Sequence, residues 1–277
     1  MDSEYLISLF DIRDRVIVIT GGGGVLCGTI ARALSRLGAR IAILDISATA
    51  AQTMADDITA QGGTAIAVPT DVLSREQVEA ALVRVQEALG PVDVLINGAG
   101  GNHKNATTGP DLSFFDLPQA AFESVFDLNF LGTLVPSQVF GGAMVERGEG
   151  CILNIASICA LRAMTKIPAY AAAKAAVKSF TEWLAVHISQ NYSPRIRVNA
   201  LAPGFFLTNQ NRYLLLDEAT GGYTARGQAI CNHTPMGRCG DPQELIAAVL
   251  WLISPGASFV HGATITVDGG FTAFGGV

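Results

Sequence analysis

The chain has 277 residues, 49% of them hydrophobic and 15% charged, with 18 basic against 24 acidic side chains and a net charge of −6. This is too apolar for a disordered chain and ample for a large core. The acidic balance, with no run of Lys or Arg, argues against a nucleic-acid binder.

Residues 1–14 carry acids where a signal peptide carries bases, and no unbroken apolar run. They read as a lead-in to the first strand, and the protein as cytoplasmic. Seven β-branched runs follow: VIVIT (16–20), IAILD (41–45), TAIAVPT (64–70), VDVLIN (92–97), CILNIAS (151–157), RIRVNAL (195–201) and TITVD (264–268). They are nearly continuously apolar, as strands buried on both faces are. Helical patterns lie between them: Ile30 to Leu37, Glu76 to Leu89 behind a Ser74/Gln77 capping box, Ala171 to Ile188, and a helix opened by Asp241-Pro242 that ends near Trp251.

This rhythm predicts an α/β protein: a single doubly wound Rossmann domain over 1–277, with a seven-stranded parallel sheet and helices on both faces. Residues 205–240 break the rhythm and are expected to form a lid. Leu245 to Val267 holds no acid, Lys or Arg and is long enough to cross a bilayer. Ser254-Pro255-Gly256 interrupts it, so a helix, a turn and a buried strand are expected there, and no membrane span. The five cysteines read as reduced thiols. Cys231, His233 and Cys239 lie close together, but no CxxC pair supports them and no metal is expected. His187 and His261 read as structural.

Ligands of such a sheet bind at the carboxyl ends of its strands. The first strand ends in TGGGGVLCG (20–28), either a mobile glycine turn or a loop whose amides, at a helix start, hold a pyrophosphate. Asp45 ends the second strand. It is either a turn or cap acid, or the acceptor for both ribose hydroxyls of an adenosine, where it would repel a 2′-phosphate. No Arg or Lys stands beside it, which favours NAD over NADP. Asp71 reads either as a helix cap or as an adenine neighbour. Tyr170 and Lys174 share one helical face. Asn129 is a polar residue in the otherwise apolar FESVFDLNFLGTL, and needs a partner if buried.

With TG at 20–21, Asp45, Asp71, NGAG at 97–100, Asn129, Ser157, Tyr170-x-x-x-Lys174 and PGFFLT at 203–208 in this order, the chain resembles the short-chain dehydrogenase/reductase superfamily over essentially its whole length. The resemblance implies Tyr170 as general acid/base, with Lys174 lowering its pKa and holding the nicotinamide ribose. Ser157 would polarise the carbonyl and Asn129 would hold a relay water. The cofactor would meet Gly21, Gly24, Val25 and Leu26, then Asp45, Ile46, Asp71 and Val72. It would also meet Asn97, Gly98, Ala99, Tyr170 and Lys174, and at the nicotinamide end Pro203, Gly204, Phe206 and Thr208. Related enzymes usually form tetramers, so the resemblance implies a homotetramer.

Two departures stand out from the superfamily loop TGxxxGxG and its NNAG segment. Val25 and Cys27 occupy glycine positions, and Gly98 replaces the second Asn. A Cys27→Gly variant is therefore expected to bind NAD at least as well as the parent. GAGGNHKNATT (98–108) and PGFFLTNQNRYLL (203–215) further resemble the D-mannonate oxidoreductase branch, which also carries valine in the loop. That implies a sugar-acid substrate, D-mannonate or D-fructuronate. Asn102, His103, Arg162, Gln210, Asn211 and Arg212 are its candidate contacts, and the arginines otherwise read as solvated charges. The alternatives are a gluconate 5-dehydrogenase-like or other polyol dehydrogenase, and a catalytically silent NAD-binding sensor.

Overall fold

The continuously apolar runs do become strands buried on both sides. In the computed structural model, which describes residues 2–208, 212–217 and 220–276, they are β1 (Val16–Thr20), β2 (Arg40–Asp45), β3 (Thr64–Pro69), β4 (Val94–Asn97), β5 (Gly150–Ile155), β6 (Ile196–Pro203) and β7 (Thr264–Val267). All neighbours pair in parallel, in the order β3-β2-β1-β4-β5-β6-β7. The chain order reverses between β1 and β4, which opens a crevice at their carboxyl ends.

The helices are α1 (Ser3–Ser8), α2 (Val25–Arg36), α3 (Ala48–Ala60), α4 (Arg75–Leu89), α5 (Gln119–Arg147), α6 (Pro168–Asn191), α7 (Arg212–Leu215), α8 (Ala225–His233) and α9 (Ile246–Ile253). Strand alternation assigns them to two layers. Ile17 and Ile19 of β1 pack with Ile30 and Leu34 of α2, Ile58 of α3, and Val249 and Leu252 of α9. Val16 and Val18 pack with Val78 and Val85 of α4, Phe140 and Met144 of α5, and Ile188 of α6.

Caps set several of the helix starts. Ser47, Ser74 and Thr224 accept from backbone amides in the first turns of α3, α4 and α8. The expected Ser74 capping box is only half formed: Gln77 Oε1 accepts from Asp71 N at 2.9 Å, not from Ser74 N. Asp241 makes the full box with Glu244, and the turn it opens leads into α9. The 245–267 stretch is helix, turn and strand, as its sequence suggests. Among the described residues α5 alone is long and apolar enough to cross a membrane, yet half of its apolar window is buried, as in a core helix. Val198 N donates to His261 Nδ1 at 3.0 Å, a structural contact.

Buried amides lock the sheet to its helices. Asn97 Nδ2 donates to Ser137 Oγ at 2.9 Å and to Asn154 Oδ1 at 2.8 Å, and Asn154 Nδ2 donates to Thr181 Oγ1 at 2.8 Å. This network ties β4 and β5 to α5 and α6. Residues 205–208 and 212–217, with 220–240, pack through an apolar cluster of Leu215, Ile230, Cys231 and Cys239 against Phe205, Leu214 and Phe271. The His233 ring lies against Phe271 and Phe274.

Candidate active site

The crevice at the β1/β4 reversal is a cavity of about 640 Å³. Its floor is made of backbone. Thr20 Oγ1 accepts from Gly98 N and from Ala99 N, both at 3.1 Å, which joins the end of β1 to the loop after β4. Gly21 turns with φ +64, and a Cβ there would lie 2.9 Å from Ala99 Cα, so glycine is required on both counts. Gly24 caps α2 without a capping side chain, so the first-turn amides of the helix remain available to an anion. Asp45 binds backbone with both oxygens: Oδ2 accepts from Gly23 N at 3.1 Å and Oδ1 from Ser47 N at 2.9 Å. A carboxylate has further lone pairs for hydroxyl donors. Asp71 Oδ1 accepts from Leu73 N at 2.9 Å.

Of the residues expected at the cofactor, Gly21, Gly24, Val25, Leu26, Asp45, Ile46, Asp71, Val72, Gly98, Ala99, Tyr170, Lys174, Pro203, Gly204, Phe206 and Thr208 line the cavity. Asn97 does not. It is buried, and its amide nitrogen is committed to Ser137 and Asn154. Ser157, Tyr170 and Lys174 meet at the cavity, but Asn129 lies behind it. Asn129 Nδ2 donates to Gly101 O and Val125 O, both at 2.7 Å, and Oδ1 accepts from Gly101 N at 3.1 Å. Its side chain therefore clamps the loop after β4.

Asn102 lines the cavity, with Nδ2 donating to Thr107 Oγ1 at 2.8 Å. His103, Arg162 and Arg212 are exposed and do not line it. His103 Nδ1 accepts from Asn105 N, and Arg162 Nε donates to Thr272 O at 3.1 Å. Gln210 and Asn211 lie outside the described residues. Sequence reasoning missed Arg226 and the apolar wall of Phe205, Met164, Ile167, Leu214 and Leu215. No motif marks them, because they reach the cavity through packing of the irregular segment.

A family model described as enoyl-(acyl carrier protein) reductase matches residues 26–272. An uncharacterised oxidoreductase of Bacillus subtilis, UxuB, is 46% identical over 276 residues, covering 96% of this chain and 98% of the relative. A structure from Haemophilus influenzae, described provisionally as a D-mannonate oxidoreductase and holding NAD, is 43% identical with a TM-score of 0.90, covering 96% of this chain and 98% of that one. A gluconate 5-dehydrogenase from Burkholderia cenocepacia, in complex with NADP and tartrate, is 32% identical with a TM-score of 0.86, covering 97% and 99%.

The chain belongs to the short-chain dehydrogenase/reductase superfamily. It is thus one of a group of oxidoreductases that act on alcohol groups. Against the superfamily pattern, its two departures face each other. A Cβ on Gly98 would lie 2.1 Å from Cys27 Sγ. The thiol that replaces a loop glycine occupies the space that the missing Asn side chain leaves, so helix and sheet still approach closely. Burial pushes the Cys27 thiol up to about 12, outweighing the nearby Lys174 charge, and keeps it protonated.

The electrostatics of this short-chain dehydrogenase/reductase site differ from the sequence expectation. Tyr170 keeps an opening to the cleft, but the protein around it desolvates the phenol and raises its pKa above the usual tyrosine value. The Cys159 charge adds to this, and the Ser157 hydroxyl opposes it. Lys174 does not reverse the shift. Its ammonium donates to Ile155 O at 2.7 Å and sits 5.7 Å from the Tyr170 ring centre. Burial lowers Lys174 itself to about 8.

Three outcomes follow for unfolding experiments. Cys27→Gly should lose about 2 kcal/mol, from a void plus glycine in a helix. Gly98→Asn should be disruptive alone and partly rescued by Cys27→Gly. A coupling below about 0.5 kcal/mol in the four-protein urea cycle would show the positions to be independent. Lys174 titrates lower folded than unfolded, so its burial cost is fully present below about pH 8 and relieved as pH rises toward 10.5. Lys174→Met should therefore be stabilised over the parent near pH 7, with the gap in Tm narrowing between pH 8 and 10. A gap independent of pH would contradict the shift.

Proposed function

We propose that the protein interconverts a secondary alcohol and a ketone on a sugar acid, D-mannonate/D-fructuronate in the first instance, with NAD as cofactor. The observation that carries this reading is the convergence of Ser157, Tyr170 and Lys174 on the cleft that also holds Asp45 and the uncapped α2 start. The dinucleotide fit rests on that cradle. Gly21 leaves room over Ala99, first-turn amides await a pyrophosphate, and buried Lys174 has one carbonyl partner for three donors. Asp45, with no cation beside it and Ile46 exposed, suits an unphosphorylated ribose. The NAD-bound Haemophilus relative supports the same choice, whereas the Burkholderia relative holds NADP.

When bound, the nicotinamide accepts or supplies the hydride. The chain positions the substrate and moves a proton. Ser157 Oγ donates to the substrate oxygen and polarises its carbonyl. The Tyr170 phenol gives its proton to that oxygen as negative charge develops there, and takes it back in the oxidation direction. A raised phenol pKa keeps Tyr170 protonated at neutral pH, which suits ketone reduction. The free N–H groups of Lys174 hold ribose hydroxyls. Asn129 fixes the Gly101 backbone beside them. Phe205, Phe206, Leu214, Leu215 and Arg226 wall the substrate end.

The second reading, a gluconate 5-dehydrogenase-like activity, draws on the Burkholderia relative. Initial rates of NADH and NADPH oxidation with D-fructuronate, 5-keto-D-gluconate and D-tagaturonate separate the readings. Fructuronate with NADH should be the fastest pair. No turnover of fructuronate alongside rapid turnover of 5-ketogluconate would replace the first reading with the second.

A further inference from the structure

Among the described residues, four charged side chains line the cleft: Asp45, Asp71, Lys174 and Arg226. The first two stand at the ends of β2 and β3, and Lys174 lies against β5. Arg226 alone comes from the irregular segment, at the start of α8. Its Nη1 donates to Thr165 Oγ1 at 3.3 Å, across the connection that carries Ser157 to Tyr170.

Several arginines of this chain have acidic partners: Arg13 with Asp11, Arg32 with Asp57, Arg75 with Glu79, Arg147 with Asp93 and Arg238 with Glu244. Arg226 pairs with no carboxylate among the described residues, although acids outnumber bases in the sequence. It is half-buried beside Met164, Ile167 and Leu214. An apolar wall weakens screening and makes an unpaired guanidinium a strong anion ligand. Its planar fork matches a carboxylate.

We propose that Arg226 is the residue that recognises the substrate carboxylate and sets the preference for acids over neutral polyols. This rests on reading the cleft as a sugar-acid site. The reacting oxygen would sit at Ser157 and Tyr170, and the carboxylate at Arg226, which lines the same cleft. Cys159, whose N donates to Ser157 Oγ at 3.3 Å, lines the cleft between them. Arg162 and Arg212, the arginines that sequence suggested for this task, do not line the cleft.

The test compares the parent, Arg226→Gln and Arg226→Lys. It measures KM and kcat for each keto acid and for fructose as a neutral ketose, NADH affinity, and calorimetric binding of D-mannonate and D-gluconate to the NADH-loaded protein, which cannot oxidise them. Arg226→Gln should raise KM for the keto acid, and the Kd of the aldonate, about 10- to 100-fold, since a charged hydrogen-bonded pair is lost. The kcat should stay within about threefold of the parent, with NADH affinity and any fructose turnover unchanged. Arg226→Lys should recover part of the loss, and thermal unfolding checks that each variant folds. Aldonate binding by Arg226→Gln within twofold of the parent overturns the inference, even if the parent reduces keto acids. If the parent reduces none of them yet binds an aldonate through Arg226, the inference stands and the proposed reaction falls. A parent that neither reduces nor binds these acids overturns both.

Discussion

The Thr20 hydroxyl, accepting from two successive amides of the loop after β4, is the contact on which the cleft depends. β1 and β4 are neighbours in the sheet, but the chain leaves them in opposite directions, and a gap opens between their ends. One side chain closes it. With Thr20 in place, Gly21 packs on Ala99 and Cys27 fills the space over Gly98. The floor is thus a set of close backbone contacts that tolerates almost no added atom, and a long ligand can lie flat on it. The same closeness explains why two departures from the family pattern occur together. Each on its own would collide or leave a void.

The proposed reacting groups rest on rigid elements around that floor. The Asn97, Asn154 and Thr181 amide–hydroxyl chain fixes β4 and β5 to α6, the helix that carries Tyr170 and Lys174. Asn129 holds the Gly101 loop from the other side. Burying a phenol and an ammonium together costs free energy, and both titrate away from their charged forms as a result. In this state Tyr170 keeps its proton at neutral pH.

Much of the fold was legible because strands covered on both faces must be apolar throughout, and β1 to β7 all fall within a few residues of their sequence readings. β6 runs on to Pro203 because β7 pairs with its last residues, a partner that a local pattern does not reveal. α3 was missed because ATAAQTMADDITA is a short, weakly amphipathic stretch, and α5 was read only in part, with Pro136 inside it. In the site, the residues that local motifs single out do line the cleft: the glycine loop, Asp45, Ser157, Tyr170 and Lys174. What failed depends on direction and distance. Asn97 points into the helix layer, His103 turns outward, and Arg226 arrives through a segment with no periodicity. The Cys27–Gly98 fit joins residues far apart in the chain, so each could be seen only as an anomaly.

Tyr170→Phe tests the central claim most directly, with NADH-dependent ketone reduction and NADH affinity measured on the same preparation. Loss of the hydroxyl removes the proton donor and leaves the glycine floor, Asp45 and Lys174 intact. The account predicts turnover lowered at least about 100-fold with NADH affinity within a few-fold of the parent. Turnover kept within tenfold of the parent would contradict it.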